Sequence, residues 1–387
     1  MRRRRIIPAY EYIIQAKERD EAIAMLIRCP RIGVDTEGDS LYSYREKVSL
    51  IQISGGDRHF IFDPLLLDTV EPLRSLFENT SVLKILHGAD YDIVSLKRDF
   101  KFHTSPIFDT ALAARAIGIK RFSLQDIIEK YFQIKLIKKY QKANWGLRPL
   151  SKGHLEYACC DTAYLEDLYS ILKEEVQKKG RGDQMAEECR LMEDLTWNGK
   201  KFDPNDFLKV KGARLLPERS QKVLRALVTT RDRLAQERNC PSFKVVSSGH
   251  LLRISSEPPK DIAKLKQLFP NGNRAILNNL SLWIDAIENG KKSKDPLPQP
   301  ERRSNTPMSS KLEKSLKHLK QWRNKQAEVE GVEPAMVLTA NILSEIVRYR
   351  PATLSDLESI PLIRTWQIRR YGPMIIKAIA QITQQHQ

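Results

Sequence analysis

The spacing of apolar residues along the chain changes character near residue 200. Before that point, short apolar runs at 32–34, 48–53, 60–62 and 82–86 have the length and residue types of buried strands. Stretches with helical periodicity lie between and after them. An early run of strands followed by alternating helices and strands is typical of a mixed α/β domain, which we predict over residues 1–200.

After residue 203 the strand pattern disappears. Residues 211–290 carry apolar side chains at helical spacing, interrupted by proline and glycine, and residues 310–387 repeat this plan. Residues 291–309 are rich in proline and lysine and lack apolar periodicity, which is typical of a linker. A chain of 387 residues is too long for one ordinary core. We therefore predict two small all-α bundles behind the α/β domain.

Paired acidic residues stand near the end of the first predicted strand. Asp35 and Glu37 are two positions apart, so in a strand their carboxylates lie on the same face. Two neighbouring anions repel, and proteins accept that cost chiefly where a cation neutralises them. Carboxylate oxygens are hard ligands that suit Mg²⁺ or Mn²⁺ better than zinc.

Two further segments contain residues that could contribute to the same metal site. Tyr157 and Asp161 are four residues apart in the helical stretch 155–172, which we expect to form one long helix with both side chains on one face. With an ordinary pKa of about 10, a tyrosine is a hydrogen-bond partner for a metal-bound water rather than a ligand. Asp92 lies early in the helix predicted after the strand at 82–86. Together the segments predict a two-metal nuclease site.

In their order and spacing, the three segments resemble the Exo I, Exo II and Exo III motifs of the DEDD exonucleases, in the subclass with tyrosine in Exo III. Within that subclass the chain is most similar to ribonuclease D. The stretches Phe-Asp-Thr at 108–110 and Asn-Trp-Gly-Leu-Arg-Pro-Leu at 144–150 also resemble that family. Asn144 departs from it, since many members have aspartate there. The resemblance covers nearly the whole chain and implies a ribonuclease H-like mixed-sheet fold.

The resemblance also implies a reaction and a role for each site residue. The reaction is metal-dependent hydrolysis of the terminal phosphodiester, which releases nucleoside 5′-monophosphates from a 3′ end with two Mg²⁺ or Mn²⁺ ions. By analogy, Asp35 bridges both ions, Glu37 and Asp161 complete the nucleophile-side ion, and Asp92 serves the leaving-group ion. Tyr157 orients the attacking water. The implied substrate is RNA with a single-stranded 3′ end, transfer RNA precursors above all.

Both predicted bundles resemble the helicase-and-RNase-D C-terminal (HRDC) module, and the first is the more divergent copy. No Gly-x-x-x-x-Gly-Lys-[Ser/Thr] phosphate loop of a helicase occurs in the sequence. Arginine and lysine can contact phosphates, and aromatic rings can stack on bases, although a structural role is the alternative for each. The residues expected to contact nucleic acid are Trp145, Arg148, Arg364, Trp366, Arg369, Arg370, Tyr371 and Lys377.

The distribution of charge supports a polyanionic partner. The formal net charge is +17, with 32 basic and 30 acidic residues over 1–200 but 33 and 18 over 201–387. An acidic catalytic half would hold cations, and a basic half would neutralise phosphates and raise the local substrate concentration. Ordinary solvated helix faces are the alternative interpretation of this surplus.

Five cysteines without a Cys-x-x-Cys pair support neither a disulfide framework nor a zinc site. Cys159 and Cys160 are interpreted as packing residues and His87 as a structural histidine at the edge of the cleft. No apolar run approaches the roughly 20 residues that a membrane helix needs, and the start of the chain does not resemble a signal peptide. We therefore expect a cytoplasmic protein.

Two other functions stay open at this stage. A 3′-5′ DNA exonuclease would use the same ligands, because the two polymers are distinguished by 2′-hydroxyl contacts that the sequence does not reveal. A nucleic-acid-binding protein with a degenerate site is the alternative from a different class. The intact set of carboxylates argues against it.

Overall fold

The computed structural model describes residues 7–136, 139–197, 199, 201–269, 272–298 and 310–384. The chain forms two compact units. The first comprises Met1–Glu37, Val48–Trp197 and Asn305–Gln387, and the second comprises Gly38–Lys47 and Asn198–Ser304. The first unit thus combines the α/β part of the chain with the second predicted bundle.

A mixed six-stranded sheet forms the centre of the first unit, in the order β1-β4-β3-β2-β5-β6. β1 is parallel to β4, β4 is antiparallel to β3, and β5 is parallel to both β2 and β6. The strands are β1 (Glu11–Ile13), β2 (Arg31–Gly38), β3 (Val48–Gly55), β4 (Arg58–Phe62), β5 (Leu83–Leu86) and β6 (Ile107–Asp109). β1 and β6 were not predicted, because a strand of three residues is too short to show a period.

Both faces of the sheet are covered, as the nearly continuous apolar runs predict. On β3, Ile51 and Ile53 belong to the main core, whereas Leu50 packs with Ile61 and Trp145 on the opposite face. All eight residues of β3 are buried. The centre of the sheet is therefore a rigid platform for the side chains at the strand ends.

Helices surround this sheet. They are α1 (Ala16–Leu26), α2 (Arg74–Phe77), α3 (Asp90–Phe100), α4 (Thr110–Ala116), α5 (Leu124–Phe132), α6 (Lys152–Thr162), α7 (Leu165–Lys178) and α8 (Gly182–Glu193). The prediction of one long helix over 155–172 is wrong, since α6 ends at Thr162 and α7 begins at Leu165. A Cβ at Gly33 would lie 2.9 Å from the Thr162 carbonyl oxygen, so the end of α6 packs directly on β2. This long-range packing leaves no mark in the local apolar period.

The second unit contains the first predicted bundle. Its helices are α9 (Glu218–Glu237), α10 (Ser242–Val245), α11 (Ser248–Ser256), α12 (Ile262–Gln267), α13 (Arg274–Leu277) and α14 (Leu280–Lys292). Leu227 and Trp283 are fully buried in its core. α14 continues two residues into the predicted linker, of which residues 299–309 lie outside the described residues.

The second predicted bundle is part of the first unit. It consists of α15 (Ser310–Glu330), α16 (Pro334–Val337), α17 (Ala340–Tyr349), α18 (Leu354–Glu358) and α19 (Thr365–Gln384). Its core includes Leu343, Ile346, Trp366 and Tyr371. Among all the helices described, none is long and apolar enough to cross a membrane.

Candidate active site

Three elements bring the predicted catalytic residues together. β2 carries Asp35 and Glu37 near its end, α3 carries Asp92 in its first turn, and α6 carries Tyr157 and Asp161. Carboxylate oxygens of Asp35, Glu37 and Asp161 all lie within 4.8 Å of one another. The strand period and the four-residue helix spacing thus converge on one cluster of acids.

Asp92 stands beside this trio and is held by Thr36, for which the sequence predicted no role. The backbone N–H of Thr36 donates to Asp92 Oδ1 at 3.0 Å, and the Thr36 hydroxyl donates to the same oxygen at 2.5 Å. Asp92 is 5% exposed. Thr36 lies between the two Exo I acids, and a hydroxyl-bearing residue at that position was the available signal for its role.

The electrostatics of the cluster are unfavourable without a cation. Burial and the neighbouring acids raise the pKa values of Asp35, Glu37 and Asp92 well above their ordinary range. Burial also raises the pKa of Asp161 to about 7, although the nearby Tyr157 hydroxyl opposes this shift. Within the described part of the chain, none of the four acids forms a salt bridge with lysine or arginine. An all-oxygen site with this charge fits a divalent metal ion of the Mg²⁺ or Mn²⁺ type.

Tyr157 is placed to act as a neutral hydrogen-bonding group. Burial, together with the charges of Asp161, Glu37 and Asp35, raises the pKa of its phenol above the ordinary value, so it stays protonated at neutral pH. Asp161, four residues along the same helix, is the acid whose charge contributes most to this shift. The ring packs against Trp145 at 5.9 Å and Tyr140 at 6.2 Å between centroids. This aromatic cluster holds the phenol in place.

The segment 144–150, which precedes α6, packs against Tyr157 and the sheet. Trp145 is 1% exposed, so the prediction that it contacts nucleic acid is wrong. Arg148 donates to Asp63 Oδ2 at 2.5 Å and Oδ1 at 2.7 Å, and to the Ser49 carbonyl oxygen at 2.8 Å. The fully buried Asp63 is therefore the partner of Arg148, and this bidentate pair anchors the segment to the sheet.

Other residues of the three motif segments and their neighbours form hydrogen bonds that hold the backbone around the site. Asn144 Oδ1 accepts from the Gly146 N–H at 3.2 Å, a bond that an aspartate oxygen could accept equally. Asp109 accepts from the Ala89 N–H at 2.7 Å, just before α3, and caps α4. His87 Nδ1 lies 2.9 Å from the Thr110 hydroxyl, which supports its structural interpretation. These residues hold the start of α3 and the approach to α6.

The candidate nucleic-acid contacts of the second bundle largely face α8. Trp366 and Tyr371 are 4% and 0% exposed, so their prediction as base-stacking residues is wrong: both rings are core. Arg364 Nε lies 3.4 Å from Glu188, and Arg369 lies 3.3 Å from Asp183.

Arg370 is also occupied within the protein. It donates to the Gly180 carbonyl oxygen at 2.9 Å and lies 3.7 Å from Glu330. Of the eight predicted contacts, Lys377 is exposed on α19 and stays a prediction. Acidic side chains of the same unit therefore bind the arginines that were predicted to contact phosphates.

Comparison with known protein families assigns the parts of the chain to a class. Residues 10–177 match the 3′-5′ exonuclease family, and residues 220–287 and 313–379 each match the HRDC domain. The mixed sheet, the acidic cluster and these matches define a 3′-5′ exonuclease followed by two HRDC domains.

Individual proteins similar to this chain indicate which kind of exonuclease it resembles. Ribonuclease D of Bartonella henselae is 27% identical over 364 residues, which cover 93% of this chain and 87% of the relative. The exosome complex component 10 homolog of Caenorhabditis elegans is 33% identical over 257 residues, but these cover 65% of this chain and 29% of that protein. The crystal structure of Escherichia coli RNase D shares the fold, with a TM-score of 0.70 at 23% identity, covering 97% and 99% of the two chains.

The chain is thus a 3′-5′ exoribonuclease that resembles ribonuclease D along most of its length. It is thus a hydrolase that acts on nucleic acid, and the family implies the use of divalent metal ions. The acidic cluster lies within the residues that match the exonuclease family.

Proposed function

We propose that this exoribonuclease trims the 3′ ends of structured RNA, transfer RNA precursors in particular, and releases nucleoside 5′-monophosphates with two Mg²⁺ or Mn²⁺ ions. The proposed use of metal ions is supported by the cluster of Asp35, Glu37 and Asp161, whose carboxylate oxygens lie within 4.8 Å of one another. The substrate part rests on the family resemblance and on E. coli RNase D, a relative described as involved in structured RNA processing.

Asp35, Glu37, Asp92 and Asp161 would hold the metal ions. When bound, divalent ions supply Lewis-acid activation of water and stabilisation of the leaving oxygen. Tyr157, whose raised pKa keeps the phenol protonated, would orient the attacking water through a hydrogen bond to its hydroxyl. Thr36 holds Asp92 toward the site with two hydrogen bonds. The residues thereby fix water and ligands before the substrate arrives, so little reorganisation is needed in the reaction.

The basic surplus of residues 201–387 supports a role in holding RNA. Three of the arginines proposed for this role contact acids or carbonyls of the first unit. Lys377 and the basic residues of the first HRDC domain are the better candidates. The expected cytoplasmic location stays a prediction.

Product analysis tests this function most directly. We would incubate 5′-labelled RNA and DNA of the same sequence, each with a single-stranded 3′ tail, with Mg²⁺ or Mn²⁺ and with an Asp161→Asn control. A metal-dependent ladder that shortens from the 3′ end of RNA, absent in the control, is expected. A ladder on DNA alone would support the DNA exonuclease, and tight binding without a ladder would support the inactive binding protein.

A further inference from the structure

A glutamine in the middle of β3 is buried without a hydrogen-bond partner. Gln52 has an exposure of 0%. Among the residues that the structure describes, neither its amide nitrogen nor its amide oxygen has a partner. Buried polar groups are nearly always hydrogen-bonded, because leaving one unpaired destabilises the fold. A buried amide of this kind therefore indicates a function that its burial does not explain.

The helix α6 shows which face of the sheet Gln52 occupies. The hydroxyls of Ser54 and Thr162 lie 2.6 Å apart, so Ser54 faces the end of α6. Leu50 packs with Ala158 of the same helix. Because side chains alternate along a strand, Gln52, between Leu50 and Ser54, lies on this same face. Gln52 is therefore covered by the helix that carries two of the proposed site residues.

The strands β2 and β3 are neighbours in the sheet. A Cβ at Gly55, the last residue of β3, would lie 3.3 Å from Ile32, near the start of β2. One residue further along β2, Gly33 faces Thr162 of α6, as does Ser54, one residue back along β3. These two successive contacts show that the strands run in opposite directions, and they fix the register.

This register places the side chains of Asp35 and Gln52 next to each other. Each lies two residues from the pair that faces Thr162, so both are on the face covered by α6. Adjacent strands are about 5 Å apart, a distance that a glutamine side chain spans. The carboxylate of Asp35 belongs to the acidic cluster described above. The buried amide is therefore within reach of the proposed metal site.

A carboxylate that binds metal ions is itself usually held by hydrogen bonds from neighbouring groups. For Asp92 that group is Thr36, which donates twice to one oxygen. We propose that Gln52 is a positioning residue for Asp35: its amide N–H donates to the Asp35 carboxylate when a divalent ion is bound. Pairing with β3 holds the backbone of β2, and the amide orients the side chain. This inference rests on the proposed role of Asp35 as a metal ligand.

The positioning role predicts opposite effects on stability and on metal binding. In the metal-free protein the unpaired amide is unfavourable, so replacing it with an apolar side chain of similar size should not reduce stability. Removing a donor to Asp35 should reduce metal affinity. A glutamine with a purely structural role would show the reverse, which is a loss of stability with unchanged metal affinity.

The test uses the full chain with Gln52→Met, which keeps a long unbranched side chain and removes the amide. The matched control is Gln367→Met in the second HRDC domain. Gln367 is 4% exposed, but its amide donates to the Val337 carbonyl oxygen and accepts from the Arg364 N–H, each at 3.0 Å. Mn²⁺ affinity is measured by titration calorimetry without substrate, and urea unfolding is measured in EDTA.

For Gln52→Met we expect Mn²⁺ affinity to fall by about 10-fold, the factor of one hydrogen bond to a charged group. The urea midpoint should be at or above that of the wild type. Gln367→Met should lower the midpoint and leave Mn²⁺ affinity unchanged. Wild-type Mn²⁺ affinity in Gln52→Met would overturn the inference.

A second variant, Gln52→Asn, keeps the inference testable if Gln52→Met folds poorly. It retains an amide on a side chain shorter by one methylene, so Mn²⁺ affinity should fall as in Gln52→Met, and wild-type affinity would again overturn the positioning role. Asp35→Asn tests the proposed function separately. Normal Mn²⁺ binding in Asp35→Asn would overturn the proposed metal site, whereas lost binding there with normal binding in the Gln52 variants would overturn the positioning role alone.

Discussion

Two acidic clusters in the first unit have opposite surroundings. The active-site cluster comprises Asp35, Glu37, Asp92 and Asp161, and within the described chain it has no lysine or arginine in a salt bridge. The docking cluster comprises Asp183, Glu187 and Glu188 on α8, and every member has a partner in the second HRDC domain. Both clusters are acidic, but only the docking cluster is paired with groups of the protein itself.

In the docking cluster, Glu187 accepts the N–H groups of Thr365 and Trp366, each at 2.8 Å, at the start of α19. Glu188 accepts from the Trp366 indole at 2.9 Å. An anion at a helix N-terminus is stabilised by the unpaired N–H groups there. Acids whose partners lie within the fold therefore fasten one domain to another, whereas the active-site cluster could hold a divalent cation.

The largest expected effect comes from removing one active-site charge. Asp161→Asn should lower kcat by roughly 10³-fold, because a bound metal supplies several kcal/mol of transition-state stabilisation. The matched control is Asp183→Asn, the same substitution in the docking cluster, which should leave kcat unchanged. Metal-dependent RNA hydrolysis measures both, and full activity of Asp161→Asn would refute the assigned site.

The buried ion pair between the exonuclease domain and the second HRDC domain should have the next largest effect. Arg181 contacts Glu330, and their side chains are 2% and 11% exposed. Arg181→Ala leaves a buried carboxylate short of a partner and should cost about 3 kcal/mol of unfolding free energy. Urea unfolding measures this loss, and limited proteolysis should show earlier release of the domain. A loss below roughly 0.5 kcal/mol would show that the pair does not fasten the domain.

Metal addition should stabilise the protein through the active-site cluster alone. At about 100 times its Kd, Mn²⁺ should add about 2.7 kcal/mol to the free energy of unfolding, if it binds the native state only. Thermal unfolding with Mn²⁺ and with EDTA gives the comparison. The shift should vanish in Asp161→Asn and persist in Asp183→Asn, and equal shifts in both variants would place the metal elsewhere.

Removal of the Tyr157 hydroxyl should have an intermediate effect on turnover. Tyr157→Phe keeps the ring packing against Trp145 but loses the group proposed to orient water, so kcat should fall by about 10- to 100-fold. Mn²⁺ affinity by calorimetry should change little. A variant that loses metal affinity in parallel with kcat would assign Tyr157 to the ligand shell instead.

The smallest effect is expected at the exposed edge of the docking cluster. Arg369 and Asp183 have side-chain exposures of 69% and 77%, and such a pair contributes roughly 0.2–1 kcal/mol. Arg369→Ala should therefore alter stability little. Filter binding of RNA at a series of salt concentrations compares Arg369→Ala with Lys377→Ala. If Arg369 serves docking, RNA affinity and its salt dependence should fall only for Lys377→Ala. A fall only for Arg369→Ala would instead identify Arg369 as a phosphate contact.

The convergence of the acidic cluster was predictable because its signals are local. A two-residue spacing places Asp35 and Glu37 on one strand face, and a four-residue spacing joins Tyr157 to Asp161 on one helix face. Thr36 was missed because its function depends on where α3 lies, not on its own neighbours. The bounds of α6 were mispredicted for the same reason, since its end is set by packing on Gly33.

The sequence by itself indicated the resemblance to ribonuclease D, the two helical bundles behind the α/β domain and the acids that form the cluster, because these depend on residue types at short, regular spacings. Only the tertiary structure decided that Trp366 and Tyr371 are core, that Arg364 and Arg369 meet acids of α8, and that residues 38–47 fold with the first HRDC domain. Arginine and aromatic side chains suit both a nucleic-acid surface and a protein interface. Which of the two they serve depends on partners far away in the sequence.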